Sequence, residues 1–248
     1  MNLLRTLWRI WYYIVIGVVI FALFPVIIVL ALRADWHRHF FWWARVWGKI
    51  VVTLMGFRIQ KIREQKIDWT GPYIIIANHT SEIDIMATLA IAKGRWLFIG
   101  KKELAKFPVF GFFYKKTNIL VDRSSPRSRR DVYRRAGEKI KEGFGVCIYP
   151  EGGIPDPEWR LGPFKPGAFR LAIEAQIPII PITFVDNKRR FPNEWPGGGP
   201  GTLRCVVHKP IPTVGLTESD APRIRQEAYE VMDKTLESYG IEGRSQNQ

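Results

Sequence analysis

The 248-residue chain suits one medium domain with an accessory segment and can bury a substantial core. Its formal net charge of +14 directs it toward polyanions, whether nucleic acid, anionic membranes or phosphorylated substrates, without choosing among them. Cys147 and Cys205 sit in apolar runs with no CxxC or Cys-His pattern beside them, so they read as small buried hydrophobes in a reducing compartment rather than as nucleophiles or metal ligands.

The chain opens with an apolar stretch. Residues 10–32 contain no charged side chain and are bracketed by Arg9 and Arg33. A helix of that length crosses or deeply enters a hydrocarbon core of roughly 30 Å. A cleaved signal needs a shorter apolar region and a small-residue site; Arg33-Ala34-Asp35-Trp36 follows here instead. Six of the ten tryptophans (Trp8, Trp11, Trp36, Trp42, Trp43 and Trp47) lie at or beyond the ends of this run, where an indole favours the membrane–water interface. The pattern predicts helix one over residues 4–32 with a kink at Pro25, and helix two over residues 35–55, capped by Asp35 and stopped by Gly56. Helix two is basic, aromatic-rich and amphipathic, as an interfacial segment is. Basic residues flank both ends of helix one and give no orientation.

Residues 1–57 therefore read as a two-helix membrane anchor, and residues 58–248 as a second, folded domain. In that domain strands are predicted at 73–77, 95–99, 117–121, 146–149, 179–185 and 203–207. Helices are predicted at 81–92, 129–142, 165–175 and 219–238. The alternation predicts an α/β domain with a mostly parallel sheet flanked by helices. Residues 195–201 read as a surface loop and 243–248 as a disordered tail.

Asn78-His79-Thr80-Ser81-Glu82-Ile83-Asp84 leaves a buried strand and opens a helix, the position at which α/β sheets bind ligands. Within one helix an offset of five puts His79 and Asp84 on different faces. With His79 in the preceding turn, Asp84 can reach back to one imidazole nitrogen and leave the other as a base. On spacing alone, a hydrogen-bonded structural histidine and an acidic residue near a helix N-terminus explain the segment as well.

The rest of the chain changes that balance. After the His79-x4-Asp84 block come Lys101-Lys102-Glu103-Leu104, Ile119-Leu120-Val121-Asp122-Arg123, Tyr149-Pro150-Glu151-Gly152, Gly162-Pro163-Phe164-Lys165, and Ile177-Pro178-Ile179-Ile180-Pro181-Ile182. In this order the blocks resemble the phospholipid/glycerol acyltransferase family, closest to its bacterial 1-acylglycerol-3-phosphate acyltransferases, over residues 70–185. The resemblance implies transfer of a fatty acyl group from acyl-CoA or acyl carrier protein to the free hydroxyl of lysophosphatidic acid, giving phosphatidic acid. It implies His79 as general base, Asp84 as its orienting partner, Arg123 as the phosphate ligand, and Glu151 and Gly152 in the acceptor site. Lys101, Lys102 and Lys165 are further phosphate candidates.

One block departs from the family. Glu-Gly is commonly continued by Thr-Arg there; here Gly153-Ile154 follows. The backbone N–H groups of Gly152 and Gly153 are then the remaining anion contacts, with Arg160 or another residue as a replacement cation.

No metal and no redox cofactor is expected, and no GxSxG elbow points to a covalent acyl-enzyme. The expected partners are lysophosphatidic acid, the acyl thioester and anionic membrane lipids, with nucleic acid ranked last. The expected location is the inner (cytoplasmic) membrane, with the catalytic domain on the cytoplasmic side. Arg127, Arg129, Arg130, Arg134 and Arg135 read either as a solvated helix face or as an attractor for anionic lipid or an acidic carrier. His37, His39 and His208 read as interfacial or surface residues. The rival functions are acylation of another lysolipid or a lipoamino acid, and a non-enzymatic membrane-binding module. A lipid hydrolase fits less well.

Overall fold

Short, wholly apolar runs make the centre of the sheet. The structure, a computed structural model, describes residues 2–31, 36–107, 110–122 and 124–246. Its strands are β1 (Phe57–Arg63), β2 (Ile74–Ala77), β3 (Trp96–Lys101), β4 (Ile119–Val121), β5 (Gly145–Ile148), β6 (Ile179–Phe184) and β7 (Gly201–Val207), in the order β1-β7-β6-β2-β5-β3-β4. The pairs β6–β2, β2–β5, β5–β3 and β3–β4 are all parallel. β7 runs antiparallel to β6: Val185 N–H donates to the Arg204 carbonyl and His208 N–H to the Pro181 carbonyl. Every residue of β2 and β6 is buried, as central parallel strands covered on both faces require. The predicted α/β class with a mostly parallel sheet is therefore observed.

The helices are α1 (Asn2–Ala31), α2 (Trp36–Leu54), α3 (Ile83–Ile91), α4 (Phe110–Thr117), α5 (Pro126–Lys141), α6 (Gly167–Ala175), α7 (Asn187–Arg190) and α8 (Ala221–Ser238), with a 3-10 helix at Lys102–Lys106. α5 starts three residues before its predicted position. Ser125 accepts the Ser128 N–H and Pro126 occupies the first turn, a cap-and-proline start that outweighs the arginine-rich periodicity after it.

The chain divides into two compact units. Unit 1 comprises Met1–Lys61, Thr80–Lys93 and Phe184–Cys205. In it α1 packs on α2 and α2 on α3. Both N-terminal helices form, but among the described residues only α1 is long and apolar enough to cross a membrane, over Leu3–Val26. The beginning of α1 is fixed to protein. Trp8 Nε1 donates to the Met55 carbonyl, the buried Arg9 donates to the Pro192 and Glu194 carbonyls and lies over the Phe191 ring, and the Tyr12 ring packs on Phe191. Leu3, Leu4, Val18, Phe21 and Val29 of the same helix are exposed. Asp35, the expected cap of α2, lies outside the described residues.

Unit 2 comprises Ile62–His79, Gly94–Thr183 and Val206–Gln248. In it α5 packs on β4, β5 and α6, and α6 on β2 and α8. Two expectations are corrected here. Of the expected disordered tail, Gly243–Gln246 is ordered: Arg244 bridges to Trp159 and stacks over its indole, and Ser245 is buried. His208 is a core residue rather than a surface one; its Nε2 meets Thr183 Oγ1 at 2.8 Å and its Nδ1 meets Glu64 Oε1 at 2.7 Å.

Candidate active site

Because β2, β5, β3 and β4 are parallel neighbours, their carboxyl ends lie along one edge of the sheet. The predicted residues sit in the turns that leave those ends. Asn78 and His79 follow β2, Lys101 ends β3, Asp122 follows β4, and Tyr149 to Gly153 follow β5. This is where doubly wound sheets bind ligands.

In unit 2 the His79 imidazole lies flat on the Tyr149 ring, 4.2 Å between centroids and 18° between planes, and Tyr149 is in turn stacked toward Phe98. His79 is partly exposed. Its backbone is held by Glu151, whose Oε1 accepts the His79 N–H at 2.6 Å while Oε2 accepts the Gly162 N–H at 2.8 Å. One carboxylate thus ties the β2 turn to the loop that carries Gly162-Pro163-Phe164-Lys165. Each of these is a charge-assisted bond, roughly twice as strong as a neutral one.

The turn after β5 is closed by the Gly152 N–H, which donates to the Tyr149 carbonyl at 3.0 Å. That donor is therefore spent, contrary to its expected use as an anion contact. The Gly153 N–H has no partner among the described residues. Gly152 has φ +80, a left-handed conformation that favours glycine, and the Lys165 side chain lies close to where a Cβ would stand. The Lys165 N–H returns to the Pro150 carbonyl at 2.9 Å, which holds the two motif loops together.

The other predicted cations are differently placed. Lys102 is paired with Asp122, and this contact lowers the Asp122 carboxyl to about 2 and raises the lysine. Asp122 also accepts from the N–H and hydroxyl of Ser124. Arg123 itself lies outside the described residues. Lys101 is exposed at the end of β3. Arg160 is not a replacement phosphate ligand. It is buried in a two-bond pair with Asp233 at 2.8 and 2.9 Å, the geometry that best satisfies a buried guanidinium. Arg134 pairs with Asp131 and Glu138, and Arg135 with Asp131, along α5.

In unit 1 Asp84 is fully buried in the first turn of α3. Its Oδ2 accepts the N–H groups of Thr80 and Ser81 at 2.7 and 2.8 Å, and its Oδ1 accepts Asn187 Nδ2 at 2.7 Å. Asn187, at the start of α7, was not singled out from the sequence. The polar Asp186-Asn187 pair directly after the β6 run was the available signal. Asp186 holds a different part of the fold. It is buried and accepts the Arg204 N–H, Nε and Nη2.

Cys147 and Cys205 are free and fully buried, and burial pushes both thiols far above their usual range. Neither is a nucleophile. Among the described residues no group of three or more His, Cys, Asp or Glu side chains is arranged to hold a metal ion.

A family model described as Acyltransferase matches residues 58–185, slightly over half of the chain and all of the motif-bearing strand ends. The chain belongs to the acyltransferase family. Among its relatives is acl-2 of Caenorhabditis elegans, provisionally named a 1-acyl-sn-glycerol-3-phosphate acyltransferase; it is 31% identical over 225 residues, covering 86% of this chain and 74% of the relative. The 1-acyl-sn-glycerol-3-phosphate acyltransferase of Haemophilus influenzae is 28% identical over 196 residues, covering 78% of this chain and 80% of the relative. A crystal structure described as the 1-acyl-sn-glycerophosphate (LPA) acyltransferase PlsC from Thermotoga maritima shares the fold, with a TM-score of 0.80, 23% identity and 98% of each chain covered. The family assignment turns the histidine and carboxylates at these strand ends into candidate acyl-transfer machinery.

Proposed function

We propose that this family member transfers a fatty acyl group from an acyl thioester to the free hydroxyl of 1-acylglycerol-3-phosphate, giving phosphatidic acid and a free thiol. The observation that carries the reading is His79 itself. It is a partly exposed imidazole at the end of a central parallel strand, with its ring against Tyr149 and its backbone held by Glu151. The names of the similar proteins in worm and Haemophilus favour this acceptor.

In the proposed reaction His79 takes the proton of the acceptor hydroxyl as that oxygen attacks the thioester carbonyl. The imidazolium returns the proton to the departing thiolate, and Asp84 is its orienting partner. No acyl-enzyme forms, and no metal or redox cofactor takes part. Arg123 binds the acceptor phosphate, with Lys101, Lys165 and the open Gly153 N–H near the same group. Glu151 and Gly152 keep the acceptor turn in shape. The donor is acyl-CoA or acyl carrier protein.

Residues 1–57 form the membrane anchor and residues 58–248 the catalytic domain. The exposed apolar side of α1 enters the bilayer and α2 lies along its surface. The enzyme acts at the inner (cytoplasmic) membrane from the cytoplasmic side, where both lipid substrate and lipid product reside.

The test is phosphatidic acid formation by purified protein in mixed micelles with lysophosphatidic acid and either donor. Wild type is expected to make product, and His79→Ala to lose roughly 10²–10⁴-fold. Absence of product from wild type with both donors would exclude this acceptor; equal rates in both proteins would remove His79 from the chemistry.

A further inference from the structure

Unit 2 carries an exposed surface that the reaction does not use, built from the 3-10 helix Lys102–Lys106 and α4. The two pack closely: Gly111 of α4 faces the Ala105 carbonyl with no room for a Cβ, and the Gly111 N–H donates to the Phe107 carbonyl at 2.8 Å. Ala105, Gly111, Phe113, Tyr114 and Thr117 are turned inward and buried. The opposite side leaves Phe107 59% and Phe112 48% exposed, with Leu104 also exposed. Lys106, Lys115 and Lys116 are exposed around them. Lys116 Nζ lies over the Phe112 ring, 4.6 Å from its centroid. Among the described residues of 103–117, Lys106, Lys115 and Lys116 stand against one carboxylate, Glu103.

We infer that this face of unit 2 is a docking site for an anionic lipid surface, separate from the N-terminal helices. The inference rests on the membrane reading above and adds a second contact to it. Phenyl rings ringed by ammonium groups match the two layers of a bilayer edge: the rings enter the acyl boundary and the lysine stems keep their charges at the phosphates. A soluble acidic partner would use the lysines, but it would leave two large exposed rings without a purpose. Docking here would hold the carboxyl end of β3, which this segment directly follows in sequence, against the layer that holds the acceptor lipid.

The experiment uses the full chain with Phe112→Cys carrying an environment-sensitive fluorophore. Both native thiols are fully buried, so labelling is confined to the new one. Val214→Cys, at a position 78% exposed, carries the control label. Each protein is floated with vesicles of phosphatidylcholine alone and of equal parts phosphatidylcholine and phosphatidylglycerol. A lipid-borne quencher reports depth. On the anionic vesicles the label at 112 is expected to shift to the blue and be quenched while the label at 214 is not. Adding Lys106→Glu and Lys115→Glu is expected to lower the docked-to-free ratio at least roughly five-fold. Protein that floats while the label at 112 stays water-like overturns the docking site and leaves the membrane reading standing. Protein that does not float overturns both. A shift produced by soluble acyl carrier protein in place of vesicles also overturns the lipid assignment.

Discussion

The two residues of the His79-x4-Asp84 segment are held in opposite ways. Asp84 is fully buried, and its two oxygens accept three donors, two from the adjoining backbone and one from Asn187. His79 is partly exposed; its backbone N–H is taken by Glu151 and its ring lies flat on Tyr149. A buried carboxylate that accepts from two backbone N–H groups and an amide is a rigid anchor. An aromatic face beneath an imidazole restricts the orientation of the ring. The general-base role proposed for His79 needs a ring held in place.

The largest effect is expected at the rigid end. Asp84→Ala strands two buried backbone N–H groups and the Asn187 amide, a loss of about 3–5 kcal/mol. Thermal unfolding is expected to drop by roughly 10 °C, together with loss of activity. A variant that melts like wild type would break the comparison, because Asp84 would then not be the anchor its bonds describe. Next is Glu151→Gln, which keeps the size of the side chain but turns an NH2 toward one of the two N–H groups it now receives. It is expected to cost about 1–3 kcal/mol. That loss should appear mainly as a 10- to 100-fold fall in kcat, because the His79 backbone is released. A variant with normal kcat and a raised KM would instead make Glu151 an acceptor ligand rather than a tether.

Much of this was legible in the sequence for physical reasons, and so were the gaps. Ile74-Ile75-Ile76 and Val146-Cys147-Ile148 announce central strands because a strand covered on both faces has no polar side to display. β1 was missed because Phe57-Arg58-Ile59-Gln60-Lys61-Ile62-Arg63 is half charged, and its burial alternates only weakly. α4 was missed because eight residues with four aromatics carry little helical period. Motif order singled out His79, Asp84 and Glu151 as candidates but gave no role to Tyr149 and did not single out Asn187. Stacking and a bond spanning 103 residues are products of the fold. Arg160 and His208 were misplaced for the same reason: a charged or polar residue in a linear sequence looks exposed until its buried partner, Asp233 or Glu64, is known.

A smaller effect sharpens the other end of the comparison. Tyr149→Leu removes the ring beneath the imidazole and is expected to lower kcat roughly 3- to 10-fold, the range of one aromatic pair. Tyr149→Phe keeps the face and should keep the rate. If Phe and Leu behave alike, the phenol oxygen matters rather than the stack, and the ring is not what orients His79.

The smallest effect separates stability from chemistry. His208 is buried between Thr183 and Glu64; burial pushes its pKa below the usual histidine value, against a partial pull upward from Glu64. Glu64 is itself lowered: its hydrogen bonds from His208 and the Lys209 N–H outweigh the desolvation that raises it. As pH falls through about 6.5 the unfolded chain takes up a proton that the folded imidazole refuses, so stability declines from there downward. The slope is at most about 1.4 kcal/mol per pH unit. Glu64 extends the decline, because its contribution is present above the unfolded glutamate value and is lost as pH falls through the lower folded one. Melting temperatures measured from pH 7 to pH 5 should therefore fall, and His208→Gln, which does not titrate, should flatten that curve while leaving the neutral-pH rate near wild type. An acid-side loss of activity that persists unchanged in His208→Gln would then not come from the buried imidazole.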